Sequence, residues 1–139
     1  MFQREARSMD LIADTSYLIG LWRGQAWATT YAAANSSKSL GIPWIVLGEF
    51  WHGSVCAGHD VKTVSEFLAV GLSIIDPVPV IPVYAHICAK IQFEPVYKLI
   101  GQNDLWIASV AVALDKPLLS RNRRHFESIP NLRLEVLQP

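Results

Sequence analysis

The chain has 139 residues, 51% of them apolar, with 12 Lys plus Arg against 12 Asp plus Glu. That length suits one domain with a substantial core, and no apolar run nears the ~20 residues that would span a bilayer. Zero formal net charge argues against strong non-specific attraction to nucleic acid while leaving room for a local basic patch.

Residues 1–8 are charged and lead into no long apolar stretch, so they do not read as a secretory signal. They are set apart as an N-terminal extension, with Met9 as an alternative start and residues 9–139 as a single domain. Residues 10 to 14 predict a buried strand, and Thr15 to Leu21 a short helix. Gln25 to Ser39 is Ala-rich and helical; Gly41 and Pro43 mark a turn. Trp44 to Val46 reads as a second buried strand, and Leu47 to Ala57 as a helix stopped by Gly58.

Asp60 suits the cap of a helix over Val61 to Val70, which Gly71 ends. Residues 72 to 82 hold Pro77, Pro79 and Pro82, which lack the ladder donor, so the segment is expected to be extended and peripheral. Val83 to Phe93 is helical, and Glu94 to Gly101 forms a loop around Pro95. Leu105 to Leu114 is apolar nearly all round, the pattern of a buried helix. Pro117 to Leu119, Arg123 to Glu127 and Leu132 to Val136 give a strand, a short helix and a last strand. Strands alternating with helices imply an α/β fold with a mostly parallel sheet covered on both faces. Cys56 and Cys88 have no metal-type spacing and fit small core residues in a reducing cytoplasm.

Four polar residues draw attention. Asp14, Glu49 and Asn122 follow short apolar runs, and Asp104 opens an apolar helical stretch. In α/β folds the carboxyl ends of parallel strands share one rim, where ligands bind. Each acid also has a plain structural role: Asp14 as an N-cap, Glu49 complementing a helix dipole from the first turn, Asp104 as a cap. Taken together they suggest metal chemistry. Carboxylates on one rim repel, and Mg²⁺ or Mn²⁺, which favour oxygen ligands and keep several waters, relieve that repulsion. His52, His59, His86 and His125 share no zinc-type spacing and read as surface or packing residues.

Asp14-Thr15-Ser16 after a strand resembles the first motif of PIN-domain ribonucleases. Leu47 to Gly53 resembles their second, Asn103 to Ser109 their third and Leu119 to Phe126 their fourth. Order, spacing and length are similar to the VapC toxins of toxin–antitoxin pairs, over residues 9 to 136. The resemblance implies a PIN-like three-layer α/β/α sandwich with a small, mostly parallel central sheet. It implies a cytoplasmic Mg²⁺- or Mn²⁺-dependent endoribonuclease toxin, commonly a homodimer, held by a smaller antitoxin protein.

Carried over by position, Asp14, Glu49, Asp104 and Asn122 form the catalytic set. Asp14 and Asp104 would hold the metal, Glu49 would act through a metal-bound water or as a base, and Asn122 stands where the family often has Asp. Thr15, Ser16 and Asn103 would support them, Asn103 as a cap that fixes Asp104. Arg121, Arg123 and Arg124, in the one dense basic run, suit contact with the RNA backbone. Phe126 is expected to anchor the short helix in the core. Trp22, Trp27 and Trp51 lie near the first two motifs, and an exposed pair among them would suit a partner segment.

Two other classes compete. A non-catalytic binding module on the same scaffold would explain Asn122 and the balanced charge. A phosphotransfer enzyme with Asp14 as nucleophile lacks the second Asp two residues on, where Ser16 stands.

Overall fold

The computed structural model describes residues 9–137; the expected extension at residues 1–8 lies outside the described residues. β1 (Leu11–Ala13) leads into α1 (Thr15–Trp22) and α2 (Ala26–Ala34). β2 (Leu40–Pro43) is followed by α3 (Trp44–Cys56) and α4 (Val61–Leu68), then β3 (Leu72–Ile74) and α5 (Ile81–Ile91). A 3₁₀ turn at Pro95–Lys98 precedes α6 (Gln102–Leu114), β4 (Leu118–Ser120), α7 (Arg123–Phe126) and β5 (Leu134–Val136). Among the described residues the sheet has five strands in the order β3-β2-β1-β4-β5, every pair parallel.

That order positions the site. From β1 the chain steps outward through β2 to β3, then returns to the other side of β1 with β4 and β5. The reversal falls between β1 and β4, and the crevice beyond the carboxyl ends of strands at such a switch point is where α/β sheets bind ligands. Asp14 follows β1, and Arg121 and Asn122 follow β4. The Asp14 N–H donates to the Leu119 carbonyl at 3.0 Å, which locks the two strand ends side by side. All residues of β1 and β4 are buried, as expected of central parallel strands covered on both faces.

The largest departure from the sequence reading is the β2/α3 boundary. Leu40–Pro43, where Gly41 and Pro43 suggest a turn, is a fully buried strand, and Trp44, the expected start of a strand, opens α3. Glycine at position 41 marks close packing: a Cβ there would lie 2.6 Å from Met9 Sδ and 2.9 Å from Ile74 Cδ1. Pro43 ends the strand, so its missing N–H costs little, and its extended backbone (φ −61, ψ 150) leads directly into the helix. The apolar run Trp44 to Leu47 therefore packs as the first helical turn, burying Val46 with Phe50 and Ser54 further along. Glu49 moves with it into the second turn, away from the helix end, so the expected dipole role does not apply.

Elsewhere the local signals hold. Asp60 caps α4 by accepting from the Thr63 N–H at 3.1 Å, and Val64 and Leu68, four apart, form its buried face. The proline-rich segment gives the edge strand β3, and Pro82 enters the first turn of α5. α6 buries Leu105 and Ile107 to Ala111. It packs along α5 and also meets α3 and α7. Phe126 is fully buried and fastens the four-residue α7 to the core; such burial contributes about 1.5–3 kcal/mol. Cys56 is exposed and Cys88 half-buried, so the expectation of two core cysteines fails for Cys56. No helix among the described residues is long and apolar enough to cross a membrane.

Candidate active site

Asp14 is both cap and buried charge. Its backbone is extended, Oδ1 accepts from the Thr15 N–H at 2.8 Å, and only 2% of the residue is exposed. Oδ2 accepts from the Ser120 hydroxyl at 2.6 Å and the Ser16 hydroxyl at 3.1 Å. Burial raises the carboxyl above its ordinary pKa; Ser120 and the Thr15 N–H pull it down, and the nearby charge of Asp104 pushes it up.

Glu49 reaches the same region from α3. Oε1 accepts from the Thr15 hydroxyl at 2.5 Å, and Oε2 from the Asn103 amide at 3.2 Å. Thr15 thus serves two acids, its N–H holding Asp14 and its hydroxyl holding Glu49. Asn103 lies inside the first turn of α6, whose N-cap is Gly101, so it does not cap Asp104 as expected; its amide crosses to Glu49 instead.

Asp104 stands in the first turn of α6, half-buried. Its Oδ2 and His125 Nδ1 are 2.8 Å apart in a hydrogen bond. Burial raises the Asp104 carboxyl, His125 lowers it, and the charge of Glu49 raises it. Asn122 closes the array through its backbone, donating its N–H to Ser120 Oγ at 2.9 Å, while the residue itself is exposed. The Arg121 N–H donates to Ser16 Oγ at 3.2 Å.

These bonds form one chain and one separate pair. The chain runs from Asn122 through Ser120 to Asp14, through Thr15 to Glu49, and on to Asn103. Asp104, next to Asn103 in sequence, pairs with His125 and is linked to Asp14 and Glu49 through charge. Ser120 and His125 were not singled out for this role. Both lie inside the fourth motif, and the bond to Asp104 corrects the expectation that His125 is a surface or packing residue. No spacing rule marks a histidine whose partner is 21 positions away in sequence.

The donor set suits a hard divalent cation: carboxylate oxygens dominate it, and Asp14 and Asp104 both bear proton affinities raised by burial and neighbouring negative charge. The described residues contain no group of three or more His, Cys, Asp or Glu gathered closely enough to hold a metal ion. The expected convergence of three carboxylates into one cage is therefore not formed; an ion here would be held by one or two carboxylates and would keep several waters.

Arg121, Arg123 and Arg124 are exposed beside this array. The Arg121 guanidinium rests 4.6 Å from the centre of the Trp27 ring, a cation–π contact that restrains it. Trp22, Trp27 and Trp51 are all partly buried and packed against the core, so none is a freely exposed anchor for a partner segment.

No protein-family model matches the chain. It is 34% identical to a Ribonuclease VapC of Rickettsia bellii over 134 residues, which cover 93% of this chain and 96% of that protein. The fold is similar to that in the crystal structure of VapBC2 from Rickettsia felis bound to a DNA fragment from their promoter, with a TM-score of 0.77 and 24% identity over 94% of this chain and 100% of the other. It is also similar to VapBC-1 from nontypeable Haemophilus influenzae, with a TM-score of 0.74 and 21% identity over 92% of this chain and 98% of the other.

Proposed function

The chain belongs to the VapC ribonuclease family, and we propose that it is the endoribonuclease toxin of a toxin–antitoxin pair, hydrolysing phosphodiester bonds in RNA with Mg²⁺ or Mn²⁺. The observation that carries this reading is the gathering of three acids at the switch point of the sheet: Asp14 and Glu49 share Thr15, and Asp104 lies near enough for its charge to act on Asp14 and be acted on by Glu49. Asp14 and Asp104 would hold the ion, with Glu49 and the Asn122 amide oxygen reaching it through water. When bound, such an ion offsets charge on the phosphoryl oxygens and acidifies water.

The remaining steps belong to the chain's own side chains. Ser120, Ser16 and the Thr15 N–H hold the Asp14 carboxylate against the cost of its burial. Thr15 and Asn103 fix Glu49 from both sides, so its carboxylate can take a proton from the attacking water. His125 fixes the rotamer of Asp104. Arg121, Arg123 and Arg124 bind RNA phosphates flanking the cut. Attack by water leaves a 5′-phosphate and a 3′-hydroxyl. The protein would act in the cytoplasm, as a homodimer, restrained by a cognate antitoxin protein.

The test is cleavage of RNA by purified protein with Mg²⁺, with Mn²⁺ and with EDTA, beside Asp104→Ala. Chelation should abolish cleavage, and Asp104→Ala should lower it by about 10²–10³-fold or more with its circular dichroism unchanged. Equal cleavage by both forms would overturn the assignment of Asp104. Failure of the wild type to cut any RNA with either metal would favour a non-catalytic scaffold.

A further inference from the structure

Glu49 also forms part of the wall of a cleft of about 340 Å³ between α1, α3 and the turn that follows α3. Trp22 and Arg23 line it from one side, Gly53 and Ser54 from α3, and His59 from the turn. The Trp22 ring is fixed in place. Phe50 and Phe67 meet it edge-on, with centroids 5.8 and 5.2 Å away, and His59 lies tilted against it at 5.1 Å. Gly53 adds no side chain to the lining, and a Cβ added there would meet nothing within 4 Å. The result is a preformed slot at the small end of ligand clefts (~300–1,000 Å³), with a rigid aromatic wall, a cation and a carboxylate.

We propose that this cleft receives one unstacked nucleobase of the RNA strand, next to the phosphate held at the acid array. The identity of the strand rests on the nuclease reading above. Single-stranded RNA is held by stacking splayed bases on aromatic rings and Arg planes and by bonding their polar edges. Trp22 and His59 supply the rings, Arg23 a donor and Ser54 a hydroxyl. Because Glu49 belongs to both the array and the cleft, a base seated here and a phosphate at the array are within reach of one strand. A partner helix would need a long groove taking side chains at successive turns; this is a single slot of nucleoside size.

Gly53→Leu tests the proposal, because it fills the slot from a position with open space and exchanges a poor helix former for a good one. Short single-stranded oligoribonucleotides carrying 2-aminopurine at one position are titrated into the full-length protein, with Asp104→Asn as the background so that binding is read without cleavage. The parent should change the 2-aminopurine emission. Gly53→Leu should lose that change and bind about tenfold more weakly, the size expected for one stacked base. An oligonucleotide abasic at that position should bind both forms equally. His59→Ala, which removes one wall ring, should give a loss in the same direction should Gly53→Leu fail to fold. Equal affinity and emission in parent and filled forms would overturn the proposal, whether or not the filled cleft weakened binding of a protein partner, as would an equal loss with the abasic strand or no RNA binding at all. An intact emission response beside wild-type protein that cuts no RNA would sink the nuclease reading and leave the base pocket standing.

Discussion

Asp14 and Glu49 carry the same charge in one hydrogen-bonded chain, yet the fold holds them in opposite ways. Asp14 sits on the backbone framework, at the end of a buried strand, 2% exposed and gripped by a main-chain N–H and two hydroxyls. Glu49 rides mid-helix, half-exposed, and is held by two side chains from other elements. The first arrangement fixes a charge against the cost of burial; the second leaves a carboxylate open to solvent and to a substrate. One helix start, Thr15, ties the two together.

The comparison can be broken hardest at Ser120. Ser120→Ala removes a donor from a buried carboxylate and an acceptor from the Asn122 N–H. It should destabilise the protein by about 1–3 kcal/mol in urea unfolding and lower cleavage as well. At Glu49 the effect should fall on activity alone. Thr15→Val preserves shape and removes the hydroxyl, so cleavage should drop by about 10–100-fold while the unfolding midpoint hardly moves. If both variants lost stability equally, the distinction between the framework acid and the solvated acid would fail.

A sharper version uses the metal-free protein. The Asp14 pKa is raised in the folded state, first by burial, so folding takes up protons relative to the unfolded chain. That contribution to stability is full at pH values below the ordinary carboxylate pKa and is lost as pH rises through the higher folded one. Metal-free protein should therefore gain stability as pH falls from neutrality toward the carboxylate range. Asp14→Asn should flatten this trend and stabilise the apo form at neutral pH by about 0.5–2 kcal/mol, at the expense of activity; thermal melts across pH read both. The smallest effect belongs to the exposed rim. Arg124→Ala should raise KM, leave kcat and stability near the parent values, and reduce the salt slope of RNA binding by about one phosphate's worth.

Much of this was legible in the chain. The strand ending at Ala13, the Asp60 cap and the all-round apolar face of α6 depend on neighbours a few positions away, and each forms as the sequence implies; the strand expected over Pro117 to Leu119 forms one residue later, as Leu118–Ser120. The boundary at Pro43 was not legible. A run of four apolar residues serves a strand or a helical turn equally well, and Gly41 reads as a turn until Met9 and Ile74 are seen closing over it. The roles of Ser120 and His125 are not legible in sequence for a related reason: their partners lie 106 and 21 positions away.

Local residue order by itself determined that the runs before Asp14 and Asn122 bury, that Asp60 caps α4 and that Asp14 stands at the end of β1, because those properties depend on side chains close along the chain. Only the tertiary structure decided that β1 and β4 are neighbours, that Thr15 bridges two acids, and that the acids meet as an open array beside an aromatic cleft. Hydrogen bonds reach only about 3 Å, so a link between distant residues exists only once the strand order has brought them together.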